Sequence, residues 1–203
     1  MYAHKRIYPL FALLLFTATL LAQRFEGSLV AGTTFAQLNG DNLAGYNKLG
    51  LVAGGRVAAV LNPKWRLSMD ILYSQRGSRR GEREVSTYHR FALNYVEVPV
   101  MIYLTDWKIE FGTGFSYNHL INYSIEDING EDATQVFDLK NNDLAFVADA
   151  TYYTNPNFGI GLRWNQGLFN IDSDAGNQGL VNRWISFRFI YRFNVSNLAD
   201  TVE

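Results

Sequence analysis

RWISFRFIYRFNV, residues 183–195, alternates two kinds of side chain along its length. One parity carries Ile185, Phe187, Phe189, Tyr191 and Phe193, and the other carries Trp184, Ser186, Arg188, Ile190 and Arg192. An alternation of period two marks a β-strand whose faces meet different surroundings. The fold turns on which face points inward and on what solvent the aromatic face meets.

The same pattern recurs through the chain and predicts strands at 24–38, 48–62, 65–78, 88–104, 107–121, 143–154, 157–170 and 183–195. Their connections alternate between two lengths. Short ones fall at Asn62-Pro63-Lys64, Thr105-Asp106 and Asn155-Pro156-Asn157, where proline fixes φ and asparagine or aspartate bonds back to nearby backbone. Long ones fall at 39–47, 79–87, 122–142 and 171–182, rich in Gly, Asn, Asp and Ser. In an antiparallel meander this alternation gathers every long loop at one end and leaves the short turns and both termini at the other.

Size decides the direction of the faces. Leu49, Leu51, Val57, Leu67, Met69, Ile71, Tyr73, Phe111, Phe115, Leu162 and Trp164 share the parity of Phe189, whereas Gly54, Ser68, Gly112, Gly114, Ser116, Gly159 and Gly161 share that of Arg188. An eight-stranded barrel encloses only enough space for its own side chains, so the bulky face would overfill it. Turned outward, that face needs a hydrocarbon solvent, which favours a membrane barrel over a soluble lipocalin-like one. The expected fold is all-β: a closed, eight-stranded, antiparallel up-and-down transmembrane barrel, with short periplasmic turns and longer extracellular loops. Strands of about 9–11 tilted residues cross a bilayer, and every predicted strand is at least that long.

Composition agrees. Aromatic residues make up 15% of the chain and charged ones 18%. The absence of cysteine excludes disulfides, thiolate catalysis, zinc–thiolate sites and a lipid anchor on cysteine. Residues 1–22 read as a secretory signal peptide, with Lys5 and Arg6 before an apolar run and Ala22 at a cleavage point, leaving 23–203 as the barrel domain. Its loss takes the formal charge from −1 to −3, and nothing asks for nucleic acid.

GDNLAGYNKLGLVAGGRV (40–57), DILYSQRGS (70–78), LNYVEVPVMIYL (93–104) and FGTGFSY (111–117) resemble the PorT-like outer-membrane β-barrel family of Bacteroidetes. The resemblance spans essentially the whole mature chain and implies a small integral outer-membrane protein of a diderm bacterium, with a possible tie to secretion machinery. Two departures stand out. Asp70 replaces the glutamate expected in that family, and the chain continues past Phe193 through NVSNLADTVE, where such barrels commonly end on an aromatic residue.

Chemistry concentrates on inward parity. Arg56, Asp70, Glu97, Asp149, Arg163 and Arg188 should lie near mid-barrel, with Arg66, Glu110 and Arg192 lower and Glu26 facing the closing strand. Glu97 depends on whether LNYVEVPVMIYL keeps one alternation through Pro99 or changes phase at a bulge. Buried charges persist when paired, so Arg56, Arg66, Asp70, Glu97, Glu110, Asp149, Arg163, Arg188 and Arg192, with Glu26 beside them, predict a barrel-interior network that plugs the lumen, with a narrow ion-conducting path as the alternative. An outer-membrane lipid enzyme is disfavoured: of the two histidines past the signal, His119 lies three residues from Ser116 and faces the opposite side. No catalytic residue, metal ligand or cofactor is expected. The basic loop RGSRRGER (76–83) and acidic loop SIEDINGED (124–132) should meet outer-membrane lipid, lipopolysaccharide or a secretion or surface-complex protein, or be solvated. The acids do not match an EF-hand. Aromatic girdles are expected from Trp65, Tyr103, Trp107, Phe158 and Phe193 at one end and Tyr88, Tyr117, Tyr123 and Trp184 at the other. The protein is expected to be a monomer.

Overall fold

The computed structural model describes residues 24–40, 45–81, 87–173 and 179–193. The expected signal segment and the tail after Phe193 lie outside the described residues. Eight strands form: β1 Arg24–Asn39, β2 Lys48–Val60, β3 Trp65–Arg79, β4 Tyr88–Asp106, β5 Ile109–Asp127, β6 Asn142–Tyr153, β7 Phe158–Gly167 and β8 Val181–Phe193. Each pairs antiparallel with the next, and β8 returns to β1 from Gly27–Phe193 to Asn39–Val181, so the expected barrel closes. Among the described residues no helix is long and apolar enough to cross a membrane, so any crossing falls to the strands.

The short turns follow from local chemistry. Asn62 Oδ1 accepts hydrogen bonds from the backbone N–H groups of Lys64 (2.9 Å) and Trp65 (3.0 Å). Asn155 does the same for Asn157 (3.0 Å) and Phe158 (2.9 Å), so both Asn-Pro sequences build one kind of side-chain-closed turn. The β4–β5 turn lies two residues later than the expected Thr105-Asp106, centred on Trp107 and Lys108, with Trp107 at φ 53°. A left-handed residue matches the twist that a two-residue hairpin needs.

The bulky parity faces out: Phe189 is 44% exposed and Ile71 60%, whereas Arg188 and Asp70 are both fully buried. Gly112 shows why small residues line the inside. It stands opposite Tyr103 on β4, and a Cβ there would run into the Tyr103 ring, which lies over the glycine. That geometry corrects the girdle assignment, because Tyr103 and Trp184 point inward and are buried. Tyr88 and Tyr123 are half-buried against a cluster at the loop end, while Trp65, Trp107 and Tyr117 do face out.

β4 keeps a single alternation, with Phe91, Leu93, Tyr95, Glu97, Pro99, Met101 and Tyr103 all buried. Of the two alternatives at Pro99 the unbroken alternation holds, and a phase change falls on β5: Asn94 pairs with Asn122 and Tyr95 with Leu120, leaving Ile121 as the extra residue of a bulge. Proline acts on the other neighbour, where the β3–β4 pairing passes from Met69–Val100 to Leu72–Glu97 without a pair at Pro99, which has no N–H. β5 also runs on to Asp127, so the acidic stretch is half strand, and the connection narrows to 128–141 with a 3₁₀ turn at Thr134–Val136.

The long loops are more than solvated tips. Leu139 from the β5–β6 connection and Ile171 and Leu180 from the β7–β8 connection pack with Leu38, Phe91, Leu93, Tyr95, Leu120 and Ile125 in one buried apolar cluster, flanked by Phe137. The two connections also hydrogen-bond to each other, Lys140 N–H to Ile171 O (2.7 Å) and Ser173 N–H to Asp138 O (2.8 Å). The loop-end mouth is therefore roofed by hydrophobic side chains.

Candidate functional site

Below that roof the lumen is filled by charge. Among the described residues the buried charged side chains are six arginines, Arg56, Arg66, Arg76, Arg163, Arg188 and Arg192, and six carboxylates, Glu26, Asp70, Glu97, Glu110, Asp143 and Asp149. Isolated ions in such a place would each cost several kcal/mol, so equal numbers and mutual pairing are what permit them to stay charged.

The middle layer rests on strand register. Arg56 stands opposite Asp70 across β2–β3, and Asp149 opposite Arg163 across β6–β7. Arg56 grips Asp70 with both oxygens, Nε to Oδ1 at 2.9 Å and Nη2 to Oδ2 at 3.0 Å. Arg163 then joins the two pairs across the lumen, Nε to Asp149 Oδ2 and Nη2 to Asp70 Oδ2, each at 3.0 Å. Arg188 from β8 donates to Asp149, and so does the Tyr103 hydroxyl at 3.0 Å. One aspartate thus accepts hydrogen bonds from three strands, β4, β7 and β8.

The lower layer is a ring of four. Arg66 lies 3.3 Å from Glu26 and 3.1 Å from Glu110, and Arg192 lies 3.8 Å from Glu26 and 2.7 Å from Glu110. Thr105 ties in through both Arg66 and Glu110, and the Arg192 guanidinium sits 3.8 Å above the Tyr153 ring. A recess of about 380 Å³ opens at the short-turn end and reaches Arg66, Glu110 and Arg192, and no residue of the middle layer lines it.

The upper layer differs from expectation. Glu97 does not join the middle layer. It pairs with Arg76, which also donates to Asn118 at 3.0 Å and stacks its guanidinium 3.4 Å from the Trp184 ring and 4.5 Å from that of Tyr95. Residues counted from the turn end ignore the stagger of tilted strands, and that stagger lifts Glu97 out of the middle level. Asp143 completes the layer, accepting from Asn182 at 3.1 Å.

All nine predicted residues and Glu26 line the interior, and the structure adds Arg76 and Asp143. Four arginines crowd RGSRRGER and draw Arg76 into the basic loop, yet it continues the inward parity of Asp70, Leu72 and Ser74. Asp143 likewise shares parity with Ala145, Val147 and Asp149. Parity extended to the strand ends was the available signal for both. Ser116 is buried and bonds Asn118, whereas His119 is exposed and bonds Asn142, so the two point to opposite sides of the wall as expected. Among the described residues no cluster of His, Cys, Asp and Glu could hold a metal ion.

Comparison with known proteins also returns a β-barrel of the outer membrane. A family profile described as "Outer membrane protein beta-barrel domain" matches residues 20–173. The chain belongs to this family. Similar solved structures include Ail, the attachment invasion locus protein of Yersinia pestis, in complex with the heparin analogue sucrose octasulfate. It is 14% identical, with 84% of this chain and 99% of that one covered and a TM-score of 0.52. OprG from Pseudomonas aeruginosa is 13% identical over 85% of this chain and 97% of that one, with a TM-score of 0.46. No curated protein sequence matches the chain. At that level of identity the Ail likeness speaks to fold: an eight-stranded outer-membrane barrel.

Proposed function

We propose that this outer-membrane barrel is a closed structural or binding element that acts through its loop end and does not conduct. The observation that carries the reading is the double closure of the lumen, an apolar roof built from two long connections over a balanced network of six arginines and six carboxylates. A conducting path needs mobile water and unpaired charge along the axis. Here each buried guanidinium is ion-paired with a buried carboxylate, from Glu26 up to Glu97, and Asp143 is held by Asn182. The reading is non-enzymatic and monomeric.

In the proposed orientation the long loops face outside the cell and the short turns and termini face the periplasm. The LYSQRGS and LNYVEVPV stretches support placement among PorT-like proteins of Bacteroidetes, with a protein partner in secretion or surface assembly and contact to lipopolysaccharide. The test is electrical. Purified protein in planar bilayers should give no stable single-channel events, and large, regular currents would refute the plug. Protease cleavage of the 128–141 connection in intact cells tests sidedness.

A further inference from the structure

At the loop-end rim of the barrel, β2 to β5 leave a recess of about 390 Å³ lined by Asn47, Lys48, Leu49, Arg79, His89, Arg90 and Glu126. Its charge is one-sided. Arg79 and Arg90 stand directly opposite each other on β3 and β4, a cross-strand arrangement in which like charges repel. Among the described residues Glu126 is the one carboxylate lining the recess, 3.7 Å from Arg90, with both side chains partly exposed.

The position of the recess is marked by a second feature. Just below it a belt of exposed polar side chains crosses the outer face: Gln75 donates to Tyr73, Tyr73 to Asn94, and Asn94 to Asn122. Tyr117 and His119 continue it by bonding Asn142. Amphipathic rings and amides gather where hydrocarbon gives way to headgroups. Arg90 is four residues beyond Asn94, which at a rise of about 3.3 Å and a tilt near 45° lifts it roughly 9 Å above the belt. Leu49, exposed and outward on β2, keeps an apolar surface beside the cations.

We propose that this recess binds the phosphorylated headgroup of an amphiphile in the leaflet at the loop end, with Lys48, Arg79 and Arg90 on the phosphate and Leu49 against the adjoining chain. Phosphate oxygens relieve the Arg79–Arg90 repulsion, and guanidinium forks suit them geometrically. The assignment of the leaflet rests on the orientation proposed above, but the binding chemistry does not.

The test uses the full chain refolded in detergent and three probes: an acylated bisphosphorylated glucosamine disaccharide, the same glycolipid after phosphatase treatment, and inorganic phosphate. The wild type should bind the phosphorylated glycolipid at least about tenfold more tightly than the dephosphorylated one. K48Q/R79Q/R90Q should abolish that preference while keeping the heat-dependent gel mobility of a folded barrel, and R79Q alone should lose part of it. Retention of the preference in the triple variant, or its absence in the wild type, overturns the site. Competition by inorganic phosphate as effective as that by the glycolipid overturns the amphiphile assignment. If the triple variant fails to fold, R79Q and the salt dependence of wild-type binding decide, since a phosphate site must weaken with salt. Binding in detergent is blind to sidedness and loop proteolysis in cells reports it, so the two readings fail separately.

Discussion

Asp149→Asn removes one charge from the most crowded point of the lumen. Asp149 is fully enclosed, 3.0 Å from Arg163 Nε, paired with Arg188, 4.0 Å from Arg56, and accepts from Tyr103 and Thr151 at 3.0 Å. The middle layer holds three arginines against two aspartates, and the substitution leaves three against one. An amide still accepts a hydrogen bond but cannot offset a second surplus guanidinium. Removing one partner of a buried pair costs about 3–5 kcal/mol, two to four powers of ten in the folded-to-unfolded ratio. Asp149→Asn/Arg188→Gln returns the layer to its original surplus and should recover a large part of the loss. The assay is urea unfolding of the barrel in lipid bilayers, followed by tryptophan fluorescence and gel mobility. A cost of Asp149→Asn below about 1 kcal/mol, or a double variant whose cost equals the sum of the two singles, would refute the idea that mutual neutralisation holds the layer.

Three further outcomes follow from the same structure. Phe189→Arg puts a cation on the lipid face near mid-strand and should lower stability and insertion by about 2–4 kcal/mol, measured by folding into vesicles, whereas Arg188→Gln should leave insertion much less affected. Phe137→Ala weakens the loop-end roof by at most about 1.5–3 kcal/mol, so limited proteolysis should cut the 128–141 connection faster while barrel melting stays nearly unchanged. The carboxyl of Asp127, beyond the apolar band, accepts from the backbone N–H groups of Glu131 (2.9 Å) and Asn129 (2.7 Å), which hold it below the usual carboxylate range. A depressed folded-state value means that its support of the turn is complete above the unfolded value near 3.9 and vanishes as pH falls through the lower folded value. Proteolytic nicking near 128–132 by an acid-active protease should therefore rise below about pH 4 in the wild type and be pH-independent in Asp127→Asn.

The architecture was legible because its causes are local. Period-two alternation in RWISFRFIYRFNV assigns Phe189 and Arg188 to opposite faces whatever the rest of the chain does, and Asn-Pro sequences close turns with their own side chains. Alternating loop lengths then order the meander, and the size difference between faces selects the outside. The Arg56–Asp70 and Asp149–Arg163 pairs were nearly as accessible, because neighbouring antiparallel strands joined by short turns have their register set by those turns.

Contacts between strands that are not neighbours in sequence lay beyond such reasoning. Arg163 reaches Asp70 from β7 to β3 across the lumen, and Glu97 joins Arg76 instead of the middle layer, because strand tilt and stagger are properties of the closed barrel as a whole. Tyr103 and Trp184 are inward despite being aromatic, since Gly112 vacates the space for one and the Arg76 guanidinium stacks on the other. The roof of Leu139, Ile171 and Leu180 is likewise decided only by closure, which brings two distant connections over one mouth and gives their apolar side chains a dry place to meet.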